Sequence, residues 1–362
     1  MKTGALEIEE LTVPGYERVI YAVNSRAGLE CFVAIHDTTL GPALGGTRIF
    51  PYSNKEAALQ DALLLAKAMT YKSAIAEDGL GGGKAVIIAD NEKEKTPELL
   101  MAYGELIGML GGLFIAAEDY GTTVEDLQRV GKVTPYVAAI QTPTSSGDPS
   151  RFTARGVYLG IKAVAHFFWD ALTLGGKTVA IQGLGNVGSK LLEQLFWSNA
   201  DLIITDRNME KARKLGHMWG ARVVDPDEIF SVECDIFAPC ALGGAINDKT
   251  LPLLKCKAVA GAANNQLADD SFSQKLLDRG ILYAPDFVIN AGGILNAAGE
   301  FEPGGYQPKQ VLHKVDRIYD TLLAIFETAR LEKKTTNEVA MELAEYKLKN
   351  LIGKRTAPIR FD

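Results

Sequence analysis

The chain has 362 residues, 47% of them apolar and 23% charged, with 38 basic against 45 acidic side chains for a net charge of −7. That length is too great for one ordinary core and implies about two domains of soluble globular composition. The acidic balance, with no basic run, argues against nonspecific binding to nucleic acid or to anionic membranes.

Cys31, Cys234, Cys240 and Cys256 form no CxxC and no disulfide framework, so they read as reduced thiols of a cytosolic protein. His36, His166, His217 and His313 are scattered, and no metal site is expected. Met1–Glu10 has no apolar signal segment, and no apolar run reaches the about 18 residues of a membrane span. There is no internal repeat and no low-complexity segment.

In chain order, residues 18–36 read as two strands around the turn Asn24–Gly28. The glycine-studded segment 38–48 lacks the periodicity of a regular element. Its pair Gly45-Gly46 is either a tight turn or bare backbone offered to an anion or ligand. Apolar spacing over 55–70 (Ala58, Leu59, Ala62, Leu63, Ala66, Met69) predicts a helix leading into Lys72. Three glycines, 81–83, then precede Lys84 and the β-branched run 85–88, which reads as a buried strand. A lysine at the mouth of a core strand loses hydration, which lowers its pKa and fits it for general-base work. The plainer reading makes both lysines surface residues beside a Gly-rich turn.

A helix is predicted over 97–110 and a strand over 113–117, ending at Glu118-Asp119. A carboxylate there suits catalysis in an α/β fold, or else caps the helix that starts near Thr122-Thr123. The Ser/Pro/Gly-rich stretch 142–151 marks a domain boundary. The first domain is expected to be 1–141, rejoined by a C-terminal helix within 333–362, and the second 142–332.

A helix over 153–169 leads to a strand, 178–182, that runs into Gly183-Leu184-Gly185-Asn186-Val187-Gly188, with a helix from Ser189 to Trp197. The next strand, 202–205, ends in Asp206, 23 positions past the first glycine and near the ~20 of a dinucleotide fingerprint. Gly183 permits the turn, Gly185 lets backbone approach a pyrophosphate, and Gly188 permits close packing of helix and strand. The helix N-terminus favours the phosphate charge. Asp206 suits the ribose hydroxyls of NAD, whereas Arg207 beside it could grip the extra phosphate of NADP. Strands at 235–238, 257–260 and 281–283 are each followed by loops rich in Gly, Ala or Asn. Alternating strands and helices imply a parallel sheet with those loops at its carboxyl edge. An amphipathic helix over 312–331 and a capping box at Thr335–Glu338 complete the chain.

Together, IHDTTLGPALGGTR (35–48), AKAMTYK (66–72), GGGKAVI (81–87), AEDYGTTVEDL (117–127), SSGDPS (145–150), QGLGNVG (182–188), DIFAPCALGG (235–244), GAANNQL (261–267) and YAPDFVINAGG (283–293) resemble the glutamate/leucine/phenylalanine/valine dehydrogenases, leucine dehydrogenase most closely. The likeness spans nearly the whole chain. It implies an N-terminal α/β domain for substrate and oligomerisation, a Rossmann-type NAD domain, and a cleft between them. The activity implied is reversible oxidative deamination of an apolar L-amino acid to the 2-oxo acid, ammonia and NADH, in a homo-oligomer from dimer to octamer.

On that pattern Lys72 and the Gly45-Gly46 backbone hold the substrate carboxylate, Lys84 activates water, and Asp119 shuttles a proton. Thr153, Ser189, Cys240, Ala241 and Asn264 would flank the cofactor together with the fingerprint. The side-chain pocket would comprise Leu44, Met69, Ala117, Ile294 and Ala297. Leucine dehydrogenases usually carry valine at the last two positions. A branched aliphatic substrate is expected first, and an aromatic one is the alternative. Glutamate is disfavoured because no cation lines the pocket. Tyr120, and the loop Phe301–Gly305, also depart from the family pattern. A catalytically silent nucleotide sensor is the rival class, disfavoured by the presence of both lysines and Asp119.

Overall fold

The computed structural model describes residues 6–140 and 145–361, which divide into two compact units. Unit 1 takes the described residues of Met1–Asp148, Asn296–Pro308 and Ala344–Asp362; unit 2 takes Pro149–Leu295 and Lys309–Leu343. Residues 141–144, which include the start of the expected linker, lie outside the described residues. The division differs from the expected one at residues 333–343, which fall in unit 2, at 145–148, which fall in unit 1, and at Asn296–Pro308, which also belongs to unit 1. Three hydrogen bonds account for the last. Glu300 accepts from the N–H of Ala139 (3.0 Å) and of Ser146 (2.7 Å), and Arg355 donates to the Phe301 carbonyl (2.7 Å).

Unit 1 runs β1 (Glu7–Leu11), β2 (Arg18–Asn24), β3 (Leu29–Asp37), β4 (Ala43–Phe50), α1 (Lys55–Ala76), β5 (Gly81–Ile88), α2 (Pro97–Met109), β6 (Phe114–Glu118) and α3 (Val124–Val130). Its six-stranded sheet has the order β1-β2-β3-β5-β4-β6, antiparallel as far as the β3–β5 pair and parallel beyond it. Asn54 caps α1 by accepting from the Ala57 N–H at 2.8 Å.

Side chains of β5 alternate across the sheet. Val86 packs beneath α1 with Ala58, Ala62 and Ala66, whereas Ala85 and Ile87 join the opposite core with Leu99 and Tyr103 of α2. Lys84 and Gly82 therefore share the α1 face.

Two expectations are corrected here. Segment 43–50 is a regular central strand, and glycines 81–83 are the first residues of β5 rather than a turn before it. Alternation is masked in both because glycine supplies no side chain to pattern. The glycines serve close packing: a Cβ on Gly82 would lie 2.1 Å from the Thr70 nitrogen of α1, and one on Gly45 would lie 1.9 Å from the Gly83 carbonyl oxygen. The helix expected to end before Lys72 continues to Ala76, so Lys72 is helical. β1 escaped the sequence reading; it is an edge strand with a largely exposed pattern.

Unit 2 runs α4 (Ser150–Trp169), β7 (Thr178–Gln182), α5 (Asn186–Trp197), β8 (Asp201–Thr205), α6 (Met209–Trp219), β9 (Arg222–Val223), β10 (Ile236–Pro239), β11 (Ala258–Val259), α7 (Ser271–Asp278), β12 (Leu282–Tyr283), α8 (Asp286–Ile289), α9 (Gly292–Ala298) and α10 (Pro308–Glu332). The last helix, α11 (Thr336–Lys349), starts in unit 2 and ends in unit 1. All six strands of unit 2 are parallel, in the order β12-β11-β10-β7-β8-β9. Connections run outward in both directions from β7 and β10, so the topological switch point, where such sheets bind ligands, lies between them. The capping box read at Thr335 is present: Glu338 donates its N–H to Thr335 Oγ1 at 3.1 Å and accepts the Thr335 N–H at 2.9 Å.

Gly82→Ala forces its methyl into the backbone of α1 at Thr70. It should cost about 1–3 kcal/mol of stability, read as a lower urea midpoint of unit 1.

Candidate active site

β4 and β5 lie side by side, and their alternation puts Gly46 and Arg48 on the same face as Lys84. A Cβ on Gly46 would lie 2.7 Å from the Asp119 Cβ and 3.0 Å from Lys84 Nζ. Only bare backbone admits the two charged side chains there. Lys84 Nζ donates to Asp119 Oδ2 at 2.6 Å, and Arg48 Nε donates to that same oxygen at 3.0 Å. Arg48 also reaches α1, where its Nη1 donates to Asp61 Oδ2 at 2.9 Å, and the Tyr52 hydroxyl donates to that oxygen as well. The polar chain is thus Lys84–Asp119–Arg48–Asp61–Tyr52, built from β5, the end of β6, β4 and α1 with the turn before it.

Two choices left open by the sequence are now decided by geometry. Lys84 is no surface residue: its side chain is 6% exposed. Asp119 does not cap α3, because Thr123 does so in a capping box with Asp126.

Burial lowers the Lys84 pKa; the Asp119 charge opposes that shift and the Arg48 charge adds to it. For Asp119, burial pushes upward, but the Lys84 and Arg48 cations outweigh it and hold the carboxyl at about 2. Arg48 keeps its charge despite burial, because Asp119 and Asp61 both face it.

Lys72 lies on α1 about three turns beyond Asp61 and about 20° around the helix from it, on the side that meets Arg48. Leu44 is buried on the same sheet face as Gly46, while Met69 and Ala117 are partly buried. Ile294 and Ala297 are each 7% exposed and about one turn apart on α9. Tyr120 is exposed and stacks edge-on against Phe50 at 5.9 Å. The loop after α9 is held down by Arg355 and by packing of Phe301 on Phe361 at 5.9 Å.

Unit 2 holds the fingerprint at its switch point. Gly183 has φ +93°, and a Cβ there would lie 2.9 Å from the Ala241 Cβ. A Cβ on Gly188 would lie 2.0 Å from the Gly183 carbonyl oxygen, whereas one on Gly185 would meet nothing within 4 Å. The three glycines thus divide their work as a dinucleotide requires: a left-handed turn, an open face above the loop, and a tight helix start. Gly188 packs on the fingerprint loop itself rather than on the strand. Cys240 and Ala241, after β10, adjoin that loop across the switch point.

α5 opens at Asn186-Val187, earlier than the expected Ser189, and no side chain caps its first N–H groups. Those donors suit a pyrophosphate. Asp206 accepts the N–H of Leu184 at 2.7 Å and of Asn208 at 2.8 Å, which ties the end of β8 to the fingerprint, while Arg207 is exposed. Ser189 Oγ donates to the Leu184 carbonyl at 2.6 Å. Thr153 lies beside Gly293 at the start of α9, and Asn264 accepts from Asn290 at 2.7 Å. Among the described residues, no cluster of His, Cys, Asp and Glu could hold a metal ion, and no helix is long and apolar enough to cross a membrane.

Residues 18–135 match the Glu/Leu/Phe/Val dehydrogenase dimerisation domain, and residues 199–350 match the Glutamate/Leucine/Phenylalanine/Valine dehydrogenase model. The chain belongs to this dehydrogenase family. It is 46% identical to a leucine dehydrogenase of Bacillus cereus over 98% of this chain and 97% of that one. It is equally 46% identical to a phenylalanine dehydrogenase of Lysinibacillus sphaericus, over 91% of this chain and 87% of that one. The crystal structure of L-tryptophan dehydrogenase from Nostoc punctiforme superposes with a TM-score of 0.82 at 46% identity, covering 93% of this chain and 97% of that one. The dehydrogenase is accordingly an amino-acid oxidoreductase acting on a CH–NH2 group.

Sequence reasoning missed Arg48, Asp61 and Tyr52. Their signal was available in GGTR (45–48): once 43–50 is read as a strand, Arg48 falls on the face of Gly46.

The two kinds of glycine separate in a paired test. Gly185→Ala should keep its Tm and weaken dinucleotide binding at least about tenfold, by filling the open face above the loop. Gly188→Ala should lose both affinity and stability. Fluorescence titration with NADH and thermal unfolding read the two effects.

Proposed function

We propose that this dehydrogenase catalyses the NAD-dependent, reversible oxidative deamination of an apolar L-amino acid, leucine first, to its 2-oxo acid and ammonia. The observation that carries the reading is the buried Lys84–Asp119 contact of 2.6 Å against the bare backbone of Gly46. An amine whose burial favours the neutral form, beside a carboxylate, is what acid–base work at one nitrogen-bearing carbon requires.

Lys72 binds the substrate carboxylate, with the Gly45-Gly46 backbone beside it. Asp119 takes a proton from the substrate ammonium, freeing the nitrogen lone pair to form C=N as the α-hydrogen departs with its electron pair. The nicotinamide, when bound, supplies the acceptor for that hydride. Lys84 in its neutral form removes a proton from the water that adds to the imino carbon. The carbinolamine then collapses: Asp119 returns its proton to the nitrogen, the C–N bond breaks, and the departing ammonia takes the hydroxyl proton and leaves as ammonium beside the 2-oxo acid, while the proton on Lys84 passes to solvent. The protein contributes positioning and fixed charge.

In unit 2 the fingerprint, Thr153, Cys240, Ala241 and Asn264 are the proposed seat of a nicotinamide dinucleotide, with Asp206 the proposed acceptor for the ribose hydroxyls. A 2′-phosphate there would meet the Asp206 carboxylate, which supports NAD over NADP. The apolar side chains of Leu44, Ile294 and Ala297 favour a branched aliphatic substrate. The smaller Ala297 and the aromatic-acting relatives keep phenylalanine and tryptophan as the second reading; a methylene or two there is worth only about 1–3 kcal/mol. A homo-oligomer is proposed from the matched dimerisation domain.

Following NADH absorbance across a panel of L-amino acids tests the reading. Leucine should give the highest kcat/KM, glutamate should give almost none, and NADP should serve at least about a hundredfold less well than NAD. A flat trace with every amino acid, despite tight NADH binding, would identify a sensor instead. Lys84→Ala should lower kcat by about 100-fold or more while NADH affinity persists. In the deamination direction the wild-type rate should fall as pH drops through the lowered pKa of Lys84, because the protonated amine cannot accept a proton.

A further inference from the structure

The guanidinium of Arg48 lies between two carboxylates and touches both, at 3.0 Å to Asp119 and 2.9 Å to Asp61. It and Lys84 use the same oxygen of Asp119, Oδ2. Neither cation is paired with Oδ1. Asp61 in turn is fixed on α1 by its own helix and by the Tyr52 hydroxyl. An arginine holds its proton at any working pH, so Arg48 cannot pass one along this chain. What it can do is hold a direction and a charge.

We propose that Arg48, clamped by Asp61, is a positioning residue that fixes Asp119 through Oδ2, so that Oδ1 is the oxygen exchanging the proton with the substrate nitrogen. This rests on the assignment of Lys84 and Asp119 made above. The planar fork suits the task because it meets two carboxylates in set directions, which a lysine ammonium does not. Arg48 also competes with Lys84 for the shared oxygen, and its charge opposes a second cation 2.6 Å from that atom.

Charged groups around Lys84 come from every neighbouring element. They are Asp119 at the end of β6, Arg48 on β4 and Asp61 on α1, with the Tyr52 hydroxyl on Asp61, while His36 on β3 faces α1 through Thr70. Among them, Arg48 lowers the Lys84 pKa while Asp61 and Asp119 raise it. Opposite signs for Arg48 and Asp61 make the test specific.

The experiment is the pH profile of kcat/KM for leucine deamination by the intact enzyme, run on Arg48→Gln, Arg48→Lys and Asp61→Asn. Arg48→Gln should lower kcat about tenfold or more with a smaller change in KM, and move the acid limb up by about one pH unit. Asp61→Asn should move the limb down, since it deletes a carboxylate and leaves Arg48 to Asp119 alone. Arg48→Lys should keep the limb near its wild-type place but not recover kcat, because charge is restored without the fork. Should Arg48→Gln fail to fold, the downward limb of Asp61→Asn decides. Limbs of Arg48→Gln and Asp61→Asn that stay put, or that move together in one direction, would overturn the proposal. Lys84→Ala run alongside separates the two assignments: retained turnover there removes the base itself, whereas collapse there with silent Arg48 variants removes Arg48 alone.

Discussion

The proposed chemistry rests on the Lys84 amine and the Asp119 carboxylate, held 2.6 Å apart with side chains 6% and 21% exposed. Taking one such charge out of water is costly, and a partner repays it only with close geometry and further hydrogen bonds. The fold supplies both. A glycine at 46 removes the methyl that would occupy the space, and a guanidinium at 48 shares the carboxylate. The local concentration of charge follows from strand alternation: every second residue of β4 and β5 faces α1, and on that face the chain has placed Gly46, Arg48, Gly82 and Lys84.

The glycines near the lysine therefore act through what they leave out. Gly82 admits α1 against the sheet and Gly45 admits the neighbouring strand. Gly46 makes room for the pair itself. This also explains why unit 1 was the harder half to read. Glycine hides the period-two signal, so 43–50 read as irregular and 81–83 as a turn although both are central strand. Lys72, expected just past a helix, lies within it for a similar reason. Apart from the buried Ile75, the residues after Met69 are small or polar and continue α1 without an apolar stripe.

Unit 2 was legible because its signals are local. The fingerprint, its preceding strand, the following helix and Asp206 sit within one short stretch, and each glycine there has a separate steric duty. The short parallel strand β9 escaped because two residues of pairing leave no pattern to detect. In unit 1 the lysines and Asp119 stood out by their places at the ends of a predicted helix and strands, and the family motifs supplied their roles. Arg48, Asp61 and Tyr52 were missed because their meeting depends on which face each element turns, and that needed the correct strand assignment first.

The two amide hydrogens held by Asp206 have a bearing on redesign. Protein engineers who wish to switch coenzyme preference usually begin with the acidic residue at this strand end. Here the same carboxylate fastens the Leu184 and Asn208 N–H groups and so braces the glycine loop. Swapping it for a neutral or basic side chain would strip both amides of their acceptor along with the anionic barrier. A successful reversal would have to supply a substitute acceptor, such as an asparagine or serine oxygen, before any phosphate-gripping arginine could show its effect.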